Sequence, residues 1–264
     1  MGSLVAALGS FLDARSHEGE WHLRIDDIDP PRHDQSSFQS IPLCLEMHGL
    51  VWDGPIILQS QRRDAHEGYL DQLRMDNYVF DCACTRATLG ERGACVSDCG
   101  SSKAIEGSIR FQPPADAPKT INDLFLGQQH DRALPDNFIV KRRDGLIAYQ
   151  LATAVDDLDE GYTHVIRGSD LLESSLRQMV IHNALKRPSP QYGHLPIVTD
   201  KSGNKLSKQT GALAVDISSP SENLRIALNF LRQPYPPEDM DLVDDILRYA
   251  TVNWRRDVLR PKNL

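Results

Sequence analysis

Apolar residues recur at helical spacing from the first turn of the chain. Leu4, Val5, Leu8, Phe11 and Leu12 share one face and Ser3 offers a capping hydroxyl, so a helix opens near residue 3. Trp21, Leu23 and Ile25 then alternate with His22 and Arg24, the period of a half-buried strand. That strand runs into Asp26-Asp27-Ile28-Asp29-Pro30-Pro31-Arg32, stiffened by two prolines at the carboxyl end of a strand, where α/β folds bind ligands. Residues 36–48 read as a helix with Gly49 just past its end, and Pro42 inside it predicts a kink or a split. An amphipathic helix over 63–75 and a short strand at Tyr78-Val79-Phe80 follow.

Farther on, Phe138-Ile139-Val140 and Leu146-Ile147-Ala148-Tyr149 flank Arg143-Asp144-Gly145, and Asp-Gly between apolar runs predicts a hairpin. The second run continues to Asp156-Asp157, which puts Tyr149 near a strand end. Thr163-His164-Val165-Ile166-Arg167-Gly168 is a strand stopping at a turn, so Arg167 also lies near a strand end, before a helix over about 170–185. His194-Leu195-Pro196-Ile197-Val198 is a last short strand, feeding the loop Gly203-Asn204-Lys205-Leu206-Ser207-Lys208-Gln209. Residues 220–264 read as two helical stretches separated by Pro234-Tyr235-Pro236-Pro237. Strands alternating with helices give an α/β class.

Composition narrows the field. A chain of 264 residues, 40% hydrophobic and 25% charged, buries one sizeable core plus a small module. No apolar run reaches membrane-span length and no basic leader opens the chain, so the cytoplasm is the expected compartment. A net charge of −8 argues against broad nucleic-acid binding, leaving Lys141-Arg142-Arg143 as a local basic patch or an exposed strand end.

Three stretches carry chemistry. Cys82-Ala83-Cys84 and, ten residues on, Cys95-Val96-Ser97-Asp98-Cys99 offer four thiolates on two loops, the donor set of a closed structural zinc site. Lys205 and Lys208, with Ser207 between them and a flexible Gly-Asn entry, make a loop able to fold over a triphosphate; taken alone, the motif reads first as a solvated surface turn. The acids of the 26–29 loop suit an ammonium group, a magnesium ion or a capped turn.

Six stretches in order match one pattern: Arg24-Ile25-Asp26-Asp27-Ile28-Asp29-Pro30-Pro31-Arg32, Gln59-Ser60-Gln61-Arg62, the paired cysteines, Ala148-Tyr149-Gln150-Leu151-Ala152, Val165-Ile166-Arg167-Gly168-Ser169-Asp170 and Lys205-Leu206-Ser207-Lys208-Gln209. Over roughly residues 2–215 the chain resembles the catalytic domain of the class I glutamyl-tRNA synthetases. Within that family it is most similar to the short paralogues that glutamylate the queuosine base of tRNA(Asp). The acidic loop ending in Pro-Pro-Arg and the Gln after the second lysine carry that preference, and only about fifty residues follow the lysine loop, too few for an anticodon-binding domain.

The resemblance implies a Rossmann-type domain with an inserted zinc-bearing, acceptor-binding module and a short helical tail. The expected division is 1–80 and 138–219 for the halves of the catalytic domain, 81–137 for the insert and 220–264 for the tail. It implies activation of L-glutamate by ATP with Mg2+ to glutamyl-adenylate, then transfer to the anticodon stem-loop of tRNA(Asp), with no membrane partner. Carried over residue by residue, Asp26, Tyr149 and Arg167 bind glutamate; an arginine fork suits a carboxylate. Gly2, Ser3, Ser207 and Lys208 bind ATP, and Lys205 and Lys208 serve catalysis by stabilising charge on the phosphates. Cys82, Cys84, Cys95 and Cys99 hold one structural Zn2+. Asp26 stands where the family usually has glutamate, a shorter reach. Family members open with a strand and a His-x-Gly-Ser signature, of which Gly2 and Ser3 are present here. The expectation is therefore a start that lies upstream, or an impaired copy acting as a zinc-stabilised tRNA-binding remnant. A minimal glutamyl-tRNA synthetase charging the tRNA 3′ end is the remaining reading.

Overall fold

The computed structural model describes residues 1–29, 36–90, 93–97, 99, 107–130, 137–198 and 215–260. Helix α1 (Gly2–Ser16) comes first, then strand β1 (Arg24–Ile25), α2 (Ser37–Met47), β2 (Ile57–Leu58), α3 (Arg63–Met75) and β3 (Val79–Cys82). They are followed by β4 (Ser108–Phe111), β5 (Thr120–Asp123), β6 (Gly127–His130), β7 (Phe138–Lys141), α4 (Tyr149–Asp159), β8 (His164–Gly168), α5 (Leu172–Ala184), β9 (Gln191–Leu195), α6 (Pro220–Phe230) and α7 (Val243–Val252).

β1 pairs in parallel with β2, and β8 in parallel with β9, the register running from His164 opposite Gln191 to Gly168 opposite Leu195. Parallel pairs need both faces covered, and helices supply the cover. Among the described residues no strand joins β1 to β8; a groove of about 650 Å³ lies there, lined by Trp21, His22 and Arg24 on one side and Thr163, His164 and Val165 on the other. β3, β4 and β7 form a separate antiparallel sheet, and β5 with β6 a hairpin whose Gly127 takes φ +74°.

Two apolar cores hold these layers. Leu4, Leu8 and Leu12 of α1 pack with Leu224 and Leu228 of α6 and Ile246 of α7. Leu70 and Leu73 of α3, Leu151 and Val155 of α4 and Val180 and Ile181 of α5 pack with Phe111 and Val140 of the antiparallel sheet. Each fully buried leucine contributes roughly 2 kcal/mol. The C-terminal helices are thus part of the first core, and α1 is tied to the segment after α7. Buried Asp13 accepts Trp254 Nε1 at 2.9 Å and a fork from Arg256, Nε at 2.7 Å and Nη2 at 2.8 Å.

Three expectations change. Pro42 does not split its helix: α2 continues through it, since a proline in the second turn removes only the bond to the Phe38 carbonyl. The helix closes on Gly49, φ +69°, with Gly49 N–H on Glu46 O and Leu50 N–H on Leu45 O. Past the turn at Gly145 (φ +84°), the second arm of the hairpin is one bridge, Lys141 opposite Ile147, and Tyr149 opens a helix instead of ending a strand. Leu151, Ala152, Val155 and Leu158 are all buried on that helix, the 3.6-residue spacing that outweighs the apolar run before it. The last strand is 191–195, not 194–198, because Pro196 has no N–H to give a parallel partner.

Candidate functional site

Tyr149 begins α4 from an extended Ala148, and Arg167 lies near the end of β8, so a helix start and a strand end bring the two together. Arg167 Nη1 is 3.4 Å from the Tyr149 hydroxyl. Its Nη2 donates to Ser175 Oγ at 2.6 Å and Gln178 Oε1 at 2.7 Å, both on α5, and the guanidinium sits over the Tyr192 ring, 5.3 Å from its centroid. A planar fork held this way has little left to order if it is to take up an anion.

Next to it runs a buried ion pair. Arg24 Nη1 donates to Asp157 Oδ1 at 2.7 Å, and Arg24 Nε to Asp26 Oδ1 at 2.8 Å. Burial opposes the charge of Arg24, yet Asp26 and Asp157 outweigh it and hold the guanidinium above its ordinary value. Burial pushes the Asp157 carboxyl up, with Arg24 and Arg167 offsetting only part. Asp157 Oδ2 and Arg167 Nε are buried with no hydrogen-bond partner among the described residues, an acceptor and a donor left for a ligand or water to meet.

The acidic loop is largely spoken for. Asp26 is exposed beside Arg24, Asp27 caps Ser60 through both its N–H and its hydroxyl, and Asp29 meets Arg142 at 3.1 Å. Of the residues expected at ATP, Gly2 and Ser3 form the first turn of α1. A Cβ on Gly2 would lie 4.0 Å from Val198 Cβ, so Val198 sits beside that helix start. Lys205, Ser207 and Lys208 lie outside the described residues.

The four cysteines do meet. The sulfurs of Cys82, Cys84, Cys95 and Cys99 all lie within 4.8 Å of one another, with Cys84 Sγ 3.7 Å from Cys95 and 3.5 Å from Cys99. A tetrahedral ion with bonds of about 2.3 Å needs sulfurs about 3.8 Å apart, so the cluster fits such an ion. Burial lifts the Cys95 thiol to about 12, while hydrogen bonds, first from Ser97 and then Cys99, bring Cys84 down to about 6.

Side chains with no mark of their role in the sequence hold both centres. Asn137 takes Cys95 N–H on Oδ1 and returns Nδ2 to Cys95 O, while buried Arg110 donates to the same Oδ1. Ser175 and Gln178 do the same for Arg167. The spacing of Ser175 and Gln178 along α5 puts them on one face, a signal that has meaning only once Arg167 is known to lie against it. The basic trio is consumed internally: Lys141 on Glu67, Arg142 on Asp29 and Asp144, Arg143 on the Ala83 carbonyl.

A family model described as tRNA synthetases class I (E and Q), catalytic domain, matches residues 1–98 and 97–233. The chain is 41% identical over 262 residues to a glutamyl-Q tRNA(Asp) synthetase of Yersinia pseudotuberculosis serotype I (strain IP32953), covering 96% of this chain and 78% of that protein. It is 39% identical over 268 residues to one of Vibrio vulnificus (strain YJ016), covering 100% and 88%. Among solved structures, a glutamate tRNA ligase from Elizabethkingia meningosepticum CCUG26117 in complex with its amino acid matches with a TM-score of 0.76 and 23% identity. That match covers 98% of this chain and 62% of the other, so this chain spans less than two thirds of that structure's length, and the likeness is one of fold.

Proposed function

Because the chain belongs to the class I tRNA synthetases of the glutamyl and glutaminyl type, in the branch of the glutamyl-Q tRNA(Asp) synthetases, we propose that it activates L-glutamate with ATP and transfers the glutamyl group to tRNA(Asp). The observation that carries the reading is the Arg167 guanidinium held against the Tyr149 hydroxyl at the junction of β8 and α4. In this reading Arg167 and Tyr149 take the glutamate, with Asp26 at the rim. The orphaned Arg167 Nε and Asp157 Oδ2 suit a ligand that carries both an acid and an ammonium group.

ATP, with Mg2+, would lie where Gly2 and Ser3 open α1: helix N–H groups and its dipole favour phosphate. Lys205, Ser207 and Lys208 would close over it, Lys208 and Lys205 meeting the charge that builds between the α-phosphate and the departing pyrophosphate. The glutamate carboxylate attacks the α-phosphorus and the bond to pyrophosphate breaks; the acyl–phosphate bond of the mixed anhydride then breaks as the glutamyl group passes to the queuosine base in the anticodon stem-loop, and AMP leaves. In the Rossmann-type arrangement, 81–137 would be the inserted tRNA-facing module and its four cysteines the ligands of one structural Zn2+, which would pin two loops that have little core of their own. The chemistry belongs in the cytoplasm, with tRNA; among the described residues no helix is long and apolar enough to cross a membrane.

The test is glutamate-dependent ATP–pyrophosphate exchange without tRNA, followed by mapping of labelled glutamate on tRNA(Asp). Exchange by the unaltered chain, lost on Arg167→Ala and weakened for glutamate on Tyr149→Phe, is the expected result. A folded, metal-loaded protein silent in exchange would refute the enzymatic reading. Label on the 3′ end in place of the anticodon loop would move it to an ordinary glutamyl-tRNA synthetase.

A further inference from the structure

Behind Arg167 runs a line of buried hydrogen bonds that the reading above leaves unused. Asp123 ends β5, and its Oδ1 accepts the N–H groups of Phe125 at 2.9 Å, Leu126 at 2.8 Å and His194 at 3.2 Å. Its Oδ2 meets His194 Nδ1 at 2.5 Å. His194 Nε2 is 2.8 Å from Ser175 Oγ, and Ser175 Oγ is 2.6 Å from Arg167 Nη2. His194 and Ser175 are fully buried and Asp123 is 5% exposed.

The protons follow from the chemistry of each group. Four donors surround Asp123; burial works against its charge, but His194 and the backbone N–H groups outweigh it and hold the carboxyl below its ordinary value. An ionised carboxylate only accepts, so His194 Nδ1 carries the hydrogen. An imidazole with its hydrogen on Nδ1 alone offers Nε2 as an acceptor, and in the relay the Ser175 hydroxyl points its hydrogen there rather than at the Leu171 carbonyl, 3.3 Å away. That turns the Ser175 lone pairs toward the guanidinium, which can only donate. Each link has one direction.

Asp, His and Ser in this order are also the parts of a hydrolase. Here the serine is fully buried and its oxygen already receives an arginine, so no substrate reaches it. We propose that Asp123, His194 and Ser175 form a positioning relay that fixes the Arg167 guanidinium for the carboxylate of the amino-acid substrate. The proposal rests on Arg167 being a glutamate ligand. With Nη2 committed to Ser175 and Gln178, Nη1 beside Tyr149 and the unpartnered Nε are the donors left for ligand.

Ser175→Ala tests it by removing one oxygen. In pyrophosphate exchange the KM for glutamate is expected to rise about tenfold or more, as for loss of a hydrogen bond to a charged group. The KM for ATP and kcat should move by less than about threefold, a split that general loosening does not give. Nitrogen NMR of His194 in the unaltered chain should show a protonated Nδ1 and a bare Nε2, and rotation of the Arg167 guanidinium should quicken in the variant. An unchanged KM for glutamate in folded Ser175→Ala, equal losses for glutamate and ATP, or the opposite His194 tautomer overturns the relay. Should the unaltered chain show no exchange, the functional reading fails by itself. The relay is then decided by the guanidinium rotation rate, which it requires Ser175→Ala to raise and which, if unchanged, refutes it.

Discussion

His182 is fully buried on α5 and holds that helix against α4, the two helices that frame Arg167 and Tyr149. Its Nε2 lies 3.0 Å from the Ala154 carbonyl, which only accepts, so Nε2 carries the hydrogen; Nδ1 faces Ser189 Oγ at 3.1 Å. Burial, with the positive charge of Arg167, brings this histidine from 6.5 down to about 4. A lowered folded value means that below pH 6.5 the unfolded chain takes up a proton that the folded chain refuses. Stability from this group is therefore full above about pH 6.5, falls as pH drops from 6.5 toward 4, and is flat below. At 1.36 kcal/mol per unit, the loss between pH 7.5 and pH 4.5 is about 2.5 kcal/mol. His182→Gln keeps a donor for Ala154 and cannot titrate. Urea unfolding of both proteins at the two pH values isolates the histidine, because every carboxylate and cysteine is shared. The unaltered chain should lose about 2.5 kcal/mol more than the variant. Equal losses, within about 0.5 kcal/mol, would refute the account of His182 as a neutral buried group.

Other expectations are checked the same way or more simply. Asp156 is fully buried and accepts Gln59 Nε2 and Arg62 Nε, both at 2.7 Å, and meets His66 Nε2 at 2.8 Å; Asp156→Asn should cost about 3 kcal/mol in urea unfolding at pH 7. Despite burial, those partners hold its carboxyl below the ordinary value, so that contribution is full above about pH 4 and is lost as pH falls through the lowered value. Metal analysis should find one equivalent of tetrahedral ion per chain, and its removal by chelation should lower Tm by about 5 °C or more; a folded protein without metal and indifferent to chelator contradicts the cysteine site. Gly107→Ala puts a Cβ 2.3 Å from the Cys82 carbonyl oxygen and should cost about 1–3 kcal/mol while weakening metal retention, read by competition with a chromogenic chelator.

Local chemistry was legible and tertiary placement was not. The helix predicted over 63–75 is α3, Arg63–Met75, and the Asp-Gly turn sits where the hairpin places it, with Arg142 N–H on Leu146 O. Both signals are complete within a dozen residues. Clustered cysteines also announce themselves, since four reduced thiols so close in sequence read as metal ligands before disulfides, and their sulfurs do meet. Tyr149 was misplaced because an apolar run into Gln150 reads as strand until the spacing of Leu151, Val155 and Leu158 is counted through to the end of the helix. Asp26 takes its expected role from the family resemblance alone; its ion pair with Arg24, and Arg24's with Asp157, 133 residues away, depend on two elements meeting. His194 and Asp123 are 71 residues apart and on different strands, and a histidine in an apolar strand carries no mark of what it faces.

The carboxylate of Asp13 has an implication for how the molecule is made. Its partners, Trp254 and Arg256, are 241 and 243 residues away. On the ribosome α1 emerges long before the guanidinium and the indole that meet its buried acid. Until the residues across that separation have been made, the helix carries a charge it cannot bury and a leucine face still waiting for α6 and α7. Closure over so long a span is entropically slow, and an apolar helix kept waiting is what chaperones hold. The second core, whose residues run from Leu70 to Leu185, can therefore close before the first, and α1 is sealed only once Arg256 has been made.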